Sequence, residues 1–507
     1  MDRKEISDDY ERRHAQALAM GGAAKLQRRR DAGLLDARAR LAALFDEGSF
    51  AEVGLFAFSG PDAGKAPADG KIAGFGRIAG REAAAMSNDF TVMGASSTMV
   101  NGRKIAHMKR VAAQRGLPLV FLGESSGARI PETMGAAGMG ASGSDPAQYL
   151  RLRETPWAAA ILGPCYGSSS WYSCLSDFKV MRKGALLSVS SAPLVKQATG
   201  ATLEPEALGG WLLHAETTGL VDQVVDSDEE AIDAIRRFLS YLPSHNAETP
   251  PLQPVPRGSG EQMPGILELL PERETQVYDM KKIIRAIVDR DSFFELKARF
   301  GKTGITGLAR LGGRAIGIIA SNPLHKGGAL EIAACRKIAS FIVLCDSFNI
   351  PLVNLVDVPG FAIGLEAEQA GAPARIMNYM TALQLATVPK LTVILRKLYG
   401  QAYLNMGGGR NSDEIAVWPT AEIGFMAPAA GVTVVDGLSP GDPGFDDRLA
   451  ELARETSPWV MAANFHVQQV IRPHETRDWL VRMLEVHQAR GTAGVGRHLM
   501  QSWPCYL

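Results

Sequence analysis

Residues 117–127 read LPLVFLGESSG, and residues 350–360 read IPLVNLVDVPG. Each is an apolar run closed by a glycine, the pattern of a strand buried on both faces and ended by a tight turn. The two are one stretch repeated at a separation of 233 residues, and the spacing holds outward without a gap. Arg77, Gly80 and Arg81 pair with Arg310, Gly313 and Arg314. Gly94 pairs with Gly327, and Arg103-Lys104 with Arg336-Lys337. Further on, Pro156, Tyr166 and Gly167 pair with Pro389, Tyr399 and Gly400. So many retained spacings mark an internal duplication. Two copies of one fold imply two related sites, and two sites imply a reaction that passes something between them.

Each copy repeats the same order of elements. A strand (REAAAMSNDF, 81–90, or RAIGIIASNP, 314–323) precedes a helix (RKIAHMKRVAAQRG, 103–116, or RKIASFIVLCDSFN, 336–349). The buried strand follows, then a second helix, then another buried strand (AAAILG, 158–163, or LTVILR, 391–396) with its own glycine turn. Repeated strand–strand–helix units predict an α/β fold with helices packed on sheets. DEGSFAE (46–52) matches DRDSFFE (289–295) at a separation of 243, so the first copy carries about ten extra residues before Arg77. The polar SGPDAGKAPADG (59–70) is the expected insertion. Upstream, Leu34, Leu35, Ala39, Leu41, Ala42 and Leu44 predict one apolar stripe on a leading helix. AETPPLQPVPRGSGEQMPG (247–265) holds five prolines and reads as a linker between domains 1–246 and 266–507. The tail, 445–507, reads as a helical packing arm.

The bulk numbers exclude some functions. A formal net charge of zero argues against general nucleic-acid binding, which needs a basic surplus. The run Arg28-Arg29-Arg30 reads as a solvated helix face. The five cysteines, Cys165, Cys174, Cys335, Cys345 and Cys505, form no CxxC or Cys/His cluster, so neither a disulfide framework nor a metal site is expected. A polar N-terminus and the lack of a run of 18 apolar residues predict a cytoplasmic protein without a membrane span.

Chemistry concentrates at four glycine turns: ESSGAR (124–129), GPCYGSSSW (163–171), DVPGF (357–361) and RKLYGQAY (396–403). Glycine after a strand lets backbone N–H groups point into a cleft, where they hold an oxyanion. No GxSxG elbow with ordered partners and no Walker sequence occurs, and GFGRIAG (74–80) has the wrong spacing for a dinucleotide loop. His107, His214 and His325 are scattered and read as structural or surface groups. Backbone electrostatics and substrate positioning remain as the source of catalysis.

Several segments carry a family resemblance: ARARLAALFDEGSF (37–50), ESSGARI (124–130), GPCYG (163–167), LSDF (175–178), DSFNIPLVNLVDVPGF (346–361), VPKLTVILRKLYGQAY (388–403) and WPTAEIGFM (418–426). On these, nearly end to end, the chain resembles the carboxyltransferase β subunits of biotin-dependent acyl-CoA carboxylases, of the propionyl-CoA carboxylase type. The resemblance implies two tandem crotonase-like domains of repeated ββα units. It implies a homo-hexamer, a trimer of dimers, with the N-terminal domain of one subunit meeting the C-terminal domain of another at the active site. It also implies acyl-CoA on the first domain and carboxybiotin on the second. No AMKM biotin-attachment motif or ATP loop occurs, and HMKR (107–110) lies on a predicted helix. Carboxybiotin is therefore expected on a separate biotin carboxylase/biotin carrier subunit.

By position, the resemblance implies that Gly167 and Ser168 hold the enolate oxygen of the thioester. Gly400, Gln401 and Ala402 would hold the ureido oxygen of biotin. Ser126, Gly127, Ala128, Arg129 and Tyr166 would border the CoA, and Leu404 would tune acyl-chain preference. The family's Gly-Gly-Ala turns are replaced here by Gly167-Ser168-Ser169 and Gly400-Gln401-Ala402. Ser and Gln adopt positive φ at a cost, so strain is expected at Ser168 and Gln401. The alternative reading is a decarboxylase, lyase or hydrolase of the same fold acting on a CoA thioester without biotin.

Overall fold

The computed structural model describes residues 2–60, 65–142, 145, 147–273 and 275–504. The chain separates into two compact units, Met1–Ala247 and Glu248–Leu507. In the first, the strands are β1 (Ala51–Val53), β2 (Lys71–Ile78), β3 (Arg81–Asn88), β4 (Leu119–Ser125), β5 (Trp157–Tyr166), β6 (Phe178–Arg182), β7 (Leu186–Ser188) and β8 (Gln223–Val225). Their order is β1-β2-β3-β4-β5-β6-β8, with β7 beside β5. The second unit has β9 (Phe294–Leu296), β10 (Gly304–Leu311), β11 (Arg314–Ser321), β12 (Leu352–Val358), β13 (Lys390–Tyr399), β14 (Glu414–Val417), β15 (Glu422–Gly424) and β16 (Gln469–Val470). Its order is β9-β10-β11-β12-β13-β14-β16, with β15 beside β13. In both sheets the first three strands pair antiparallel and the rest parallel. The α/β expectation of duplicated ββα units holds.

The quoted stretches form β4 and β12, buried at every position. Parallel neighbours need long crossovers, which the helices Met99–Arg115 and Ile332–Ser347 supply. The first is started by a reciprocal cap between Thr98 and Asn101 and stopped by Gly116 at φ 69°. Register shifts fall at matching places, between Gly123 and Ser125 and between Val356 and Val358. Each irregularity brackets one acid, Glu124 or Asp357.

The duplication reaches individual hydrogen bonds. Asp46 accepts the N–H groups of Ala79 (3.0 Å) and Gly80 (2.7 Å), closing the β2–β3 hairpin. Asp289 accepts those of Gly312 (3.0 Å) and Gly313 (2.7 Å), closing β10–β11. The link from β1 to β2 runs 54–70 and that from β9 to β10 runs 297–303, so the extra residues lie there. Residues 61–64 of the expected insertion lie outside the described residues.

Three expectations are corrected. The leading segment is three helices, Arg3–Leu18, Ala23–Asp31 and Ala37–Leu44. Leu34 and Leu35 fall in a break, because Gly33 turns at φ 67° and Asp36 caps the third helix through the N–H groups of Arg38 and Ala39. The proline-rich stretch packs with the second unit: Gln253 N–H donates to Gly313 O (3.0 Å), and Met263 is buried. The tail is more than a helical arm. Its β16 extends the second sheet beside β14, and Trp479, Leu480 and Leu484 enter the core. Each of these side chains contributes roughly 1.5–3 kcal/mol by burial. Cys505 lies outside the described residues. Among the described residues no helix is long and apolar enough to cross a membrane.

Candidate active site

The turn after β5 is built on Gly167, at φ 60° and ψ −128°, a conformation that only glycine adopts freely. Gly167 O accepts the N–H groups of Ser170 (3.0 Å) and Trp171 (3.2 Å), which start the helix Ser168–Leu175. The amides of Ser168 and Ser169 precede those bonds, in the position where a helix leaves N–H groups for another acceptor. A Cβ on Gly167 would lie 3.6 Å from Gly127 Cα, so the two predicted turns abut. Ser97 ties them together. Its N–H donates to Gly127 O (2.8 Å), its carbonyl accepts from Arg129 N–H (3.0 Å), and its hydroxyl lies 2.6 Å from that of Ser168.

A cavity of about 810 Å³ opens on this turn, within the range of small-molecule sites. Its wall includes Ala128, Gly167, Ser168, Tyr149, Tyr172 and, at the start of the helix Met99–Arg115, Arg103. The positive end of a 17-residue helix beside an exposed guanidinium favours an anionic group. Tyr172 stacks on Phe121 with ring centroids 5.5 Å apart. Burial pushes its phenol up to about 12, so it stays neutral.

Of the residues expected to border CoA, Ala128 is on the cavity wall. Ser126 is exposed and donates its N–H to Gly94 O (2.9 Å), whereas Gly127 is buried. Tyr166 is half-buried, and a Cβ on Gly127 would lie 3.7 Å from the Tyr166 Cβ. The Arg129 side chain turns inward and is 4% exposed. Its Nη1 reaches Asp69 Oδ1 (2.9 Å) and Glu132 Oε1 (3.2 Å), and its Nε reaches Ser96 Oγ (3.1 Å). Asp69 is fully buried, and an unpaired carboxylate there would cost several kcal/mol.

Below the turn, Glu124 is clamped by Arg29 (3.1 and 2.9 Å) and Arg40 (2.8 Å). Arg40 continues to Asp228 (2.8 Å). Arg29 is therefore no solvated member of an arginine run. Its role was hidden in sequence because its partner stands 95 residues away. His214 hydrogen-bonds Leu187 O (2.6 Å) and Thr218 Oγ1 (3.2 Å), a role in the fold.

The second unit repeats the turn. Gly400 sits at φ 61°, its N–H donates to Gly424 O (3.0 Å), and its carbonyl accepts from Tyr403 N–H (3.1 Å). The amides of Gln401 and Ala402 again precede the first helical bond. Leu330 plays the part of Ser97: its N–H donates to Gly360 O (3.0 Å) and its carbonyl accepts from Ala362 N–H (2.9 Å). Gln401 has φ −62° and ψ −23°, and Ser168 is not among the positive-φ residues. The strain expected at those two positions is absent because the preceding glycine of each turn takes the positive φ. Gln401 and Leu404 are exposed and Ala402 is buried.

A family of known proteins matches this arrangement. The carboxyl transferase domain family aligns with residues 28–493. The propionyl-CoA carboxylase beta chain of Roseobacter denitrificans is 34% identical over 94% of this chain and 96% of its own length. Methylmalonyl-CoA decarboxylase subunit alpha of Propionigenium modestum is 35% identical over 94% of this chain and 95% of its own length. The hexameric transcarboxylase 12S core, solved with methylmalonyl-coenzyme A and methylmalonic acid bound, superposes with a TM-score of 0.87 at 32% identity over 96% of each chain. With a glycine turn repeated at the end of two matching sheets and this agreement over nearly its whole length, the chain belongs to the carboxyl transferase domain family and is an acyl-CoA carboxyltransferase.

Proposed function

We propose that this chain moves a carboxyl group from carboxybiotin, carried on a separate biotin carrier chain, to the α-carbon of an acyl-CoA. The supporting observation is the pair of equivalent turns, at Gly167 (φ 60°) and Gly400 (φ 61°), each with two amides ahead of its first helical bond. In the first unit the cavity takes the thioester, with its anionic portion toward Arg103 and the helix start. Removal of the α proton puts charge on the thioester oxygen. The Gly167–Ser168 turn holds that oxygen, and a preorganised donor of this kind contributes about 3–4 kcal/mol. Ser97, through Ser168, fixes the turn before charge develops.

In the second unit, the turn Gly400-Gln401-Ala402 fits a ureido oxygen. Its backbone is relaxed, its two amides precede the first helical bond, and the Gln401 side chain stands in solvent, where it can swing from the ring. Bound carboxybiotin would supply the carboxyl group and the base for the α proton. A biotin carboxylase/biotin carrier chain is the partner this requires, and a hexamer like the transcarboxylase core is the proposed assembly. Cys165, Cys335 and Cys345 are buried thiols, which suits a cytoplasmic setting.

The test combines the chain with a biotinylated carrier, biotin carboxylase, ATP, labelled bicarbonate and a series of acyl-CoAs. Label fixed into an acyl-CoA is the expected result. A second reading is biotin-independent decarboxylation by the chain alone; the decarboxylase subunit at similar identity supports the decarboxylation and does not bear on biotin. No fixed label, together with turnover of a carboxyacyl-CoA by the chain alone, would replace the first reading with the second.

A further inference from the structure

Lys71 opens β2 and is 2% exposed. Its Nζ donates to Asn88 Oδ1 (3.2 Å) and Ala95 O (3.4 Å). The neighbouring carboxylate, Asp69, is already paired with Arg129. Beside the ammonium lies a cavity of about 20 Å³, room for one water molecule. Its lining includes Asn88, Ser168, Ser169 and Ser173, so the cavity touches the Gly167–Ser168 turn from behind.

The second unit shows what this cluster adds. At the places of Lys71, Asn88, Ser168, Ser169 and Ser173 it has Gly304, Ser321, Gln401, Ala402 and Met406. Gly304 opens β10 as Lys71 opens β2, and a Cβ there would already press on Ile338 Cδ1 at 3.2 Å. A buried cation with polar neighbours thus backs one turn, and the matching place behind the other holds a glycine and no cation. A lysine buried only to fill space would cost its desolvation without return. Placed behind a turn that receives negative charge, the same ammonium acts through a low-dielectric interior where its field is strong.

We propose that Lys71 is a positioning residue for the enolate step, its ammonium acting through the Asn88–Ser169 pocket to make the Gly167–Ser168 turn electropositive toward the thioester oxygen. The inference rests on the reading that this turn holds that oxygen. It also distinguishes the two turns: the first has a buried ammonium behind it, and the second has Gly304 at the matching place.

The experiment uses the full chain with [1-13C]propionyl-CoA and compares wild type with Lys71→Met, Lys71→Gln and Lys71→Arg. The carbonyl resonance should move downfield on binding to wild type. The neutral variants should lose most of that shift, and Lys71→Arg should keep it. In the carboxylation assay kcat should fall by about tenfold in the neutral variants, with KM for the acyl-CoA within about twofold. If Lys71→Met does not fold, Lys71→Gln, which keeps a donor for Asn88 and Ala95, carries the comparison. A neutral variant with wild-type shift and kcat overturns the role of Lys71 and leaves the turn assignment standing. A bound thioester with an unshifted carbonyl in wild type overturns the turn assignment and this inference together.

Discussion

Gly163 and Arg396 stand at the same place on β5 and β13, and they decide how the acid at each register shift finds its cation. Arg396 reaches across from its own sheet, with Nε 3.0 Å from Asp357 Oδ2. Gly163 has no side chain to offer, and a Cβ there would lie 2.4 Å from Glu124 Oε1. The longer acid of the first unit fills that space and takes its charge partners from the leading helices, through Arg29 and Arg40. Gly163→Ala should therefore push Glu124 off its arginines and cost about 3 kcal/mol, the scale of a broken buried pair. Adding Glu124→Asp, the shorter acid of the second unit, should recover part of the loss. Urea unfolding of the two variants checks both expectations.

Gly167→Ala and Gly400→Ala separate the two turns. Neither Cβ meets a severe clash, with nearest atoms at 3.6 and 3.4 Å. The cost is backbone strain of about 1–3 kcal/mol at positive φ. Relaxing that strain would move the amides, so carboxylation should fall by roughly 10²–10³-fold in each variant. Binding should divide them. Gly167→Ala is expected to alter the bound thioester carbonyl and leave biotin affinity unchanged, and Gly400→Ala the reverse, measured by NMR and calorimetry.

Gln401→Gly tests whether the glutamine is tolerated or required. Since Gln401 already has φ −62°, glycine relieves no strain and adds freedom to the unfolded chain. Stability should drop by about 0.5–1 kcal/mol, and kcat should stay within about threefold of wild type because the amide remains. A kcat loss of about a hundredfold would give the side chain itself a part in the reaction.

The repeat spacing carried much of this site in plain view. It placed Gly167 opposite Gly400, and it predicted the succession of strands and helices leading to each turn. Its limit is physical. A repeat reveals only what both copies kept, and Lys71 has Gly304 for a counterpart, so no echo marks it. The Ser97–Ser168 contact, 71 residues apart, was equally silent, since Leu330 answers Ser97 only through its backbone. Arg29 was lost in a charged run whose solvated look was right for Arg28 and Arg30 alone. The strain expected at Ser168 and Gln401 came from assigning positive φ one residue too late.

Lys104 and Lys337 form another pair that the spacing exposed, and the second of them yields a pH prediction. Lys337 Nζ donates to three carbonyls, those of Lys297 (3.0 Å), Phe300 (2.9 Å) and Gly301 (3.4 Å). Complete burial lowers its ammonium from the usual 10.5 to about 7. The folded state thus gives up this proton first as pH rises, while the unfolded chain keeps it until about 10.5. Between those values the unfolded state binds more protons, so stability from this group rises with pH. The penalty is fully present below pH 7 and fades above it. Lys337→Met should lower stability overall, because three carbonyls lose their donor, and it should also flatten the rise. The difference in slope between wild type and variant should approach, at most, about 1.4 kcal/mol per pH unit. Urea midpoints at pH 6.5, 8 and 9.5 measure it. Equal slopes in the two proteins would mean that the carbonyl cage holds Lys337 charged throughout, and that its proton does not couple to folding in this range.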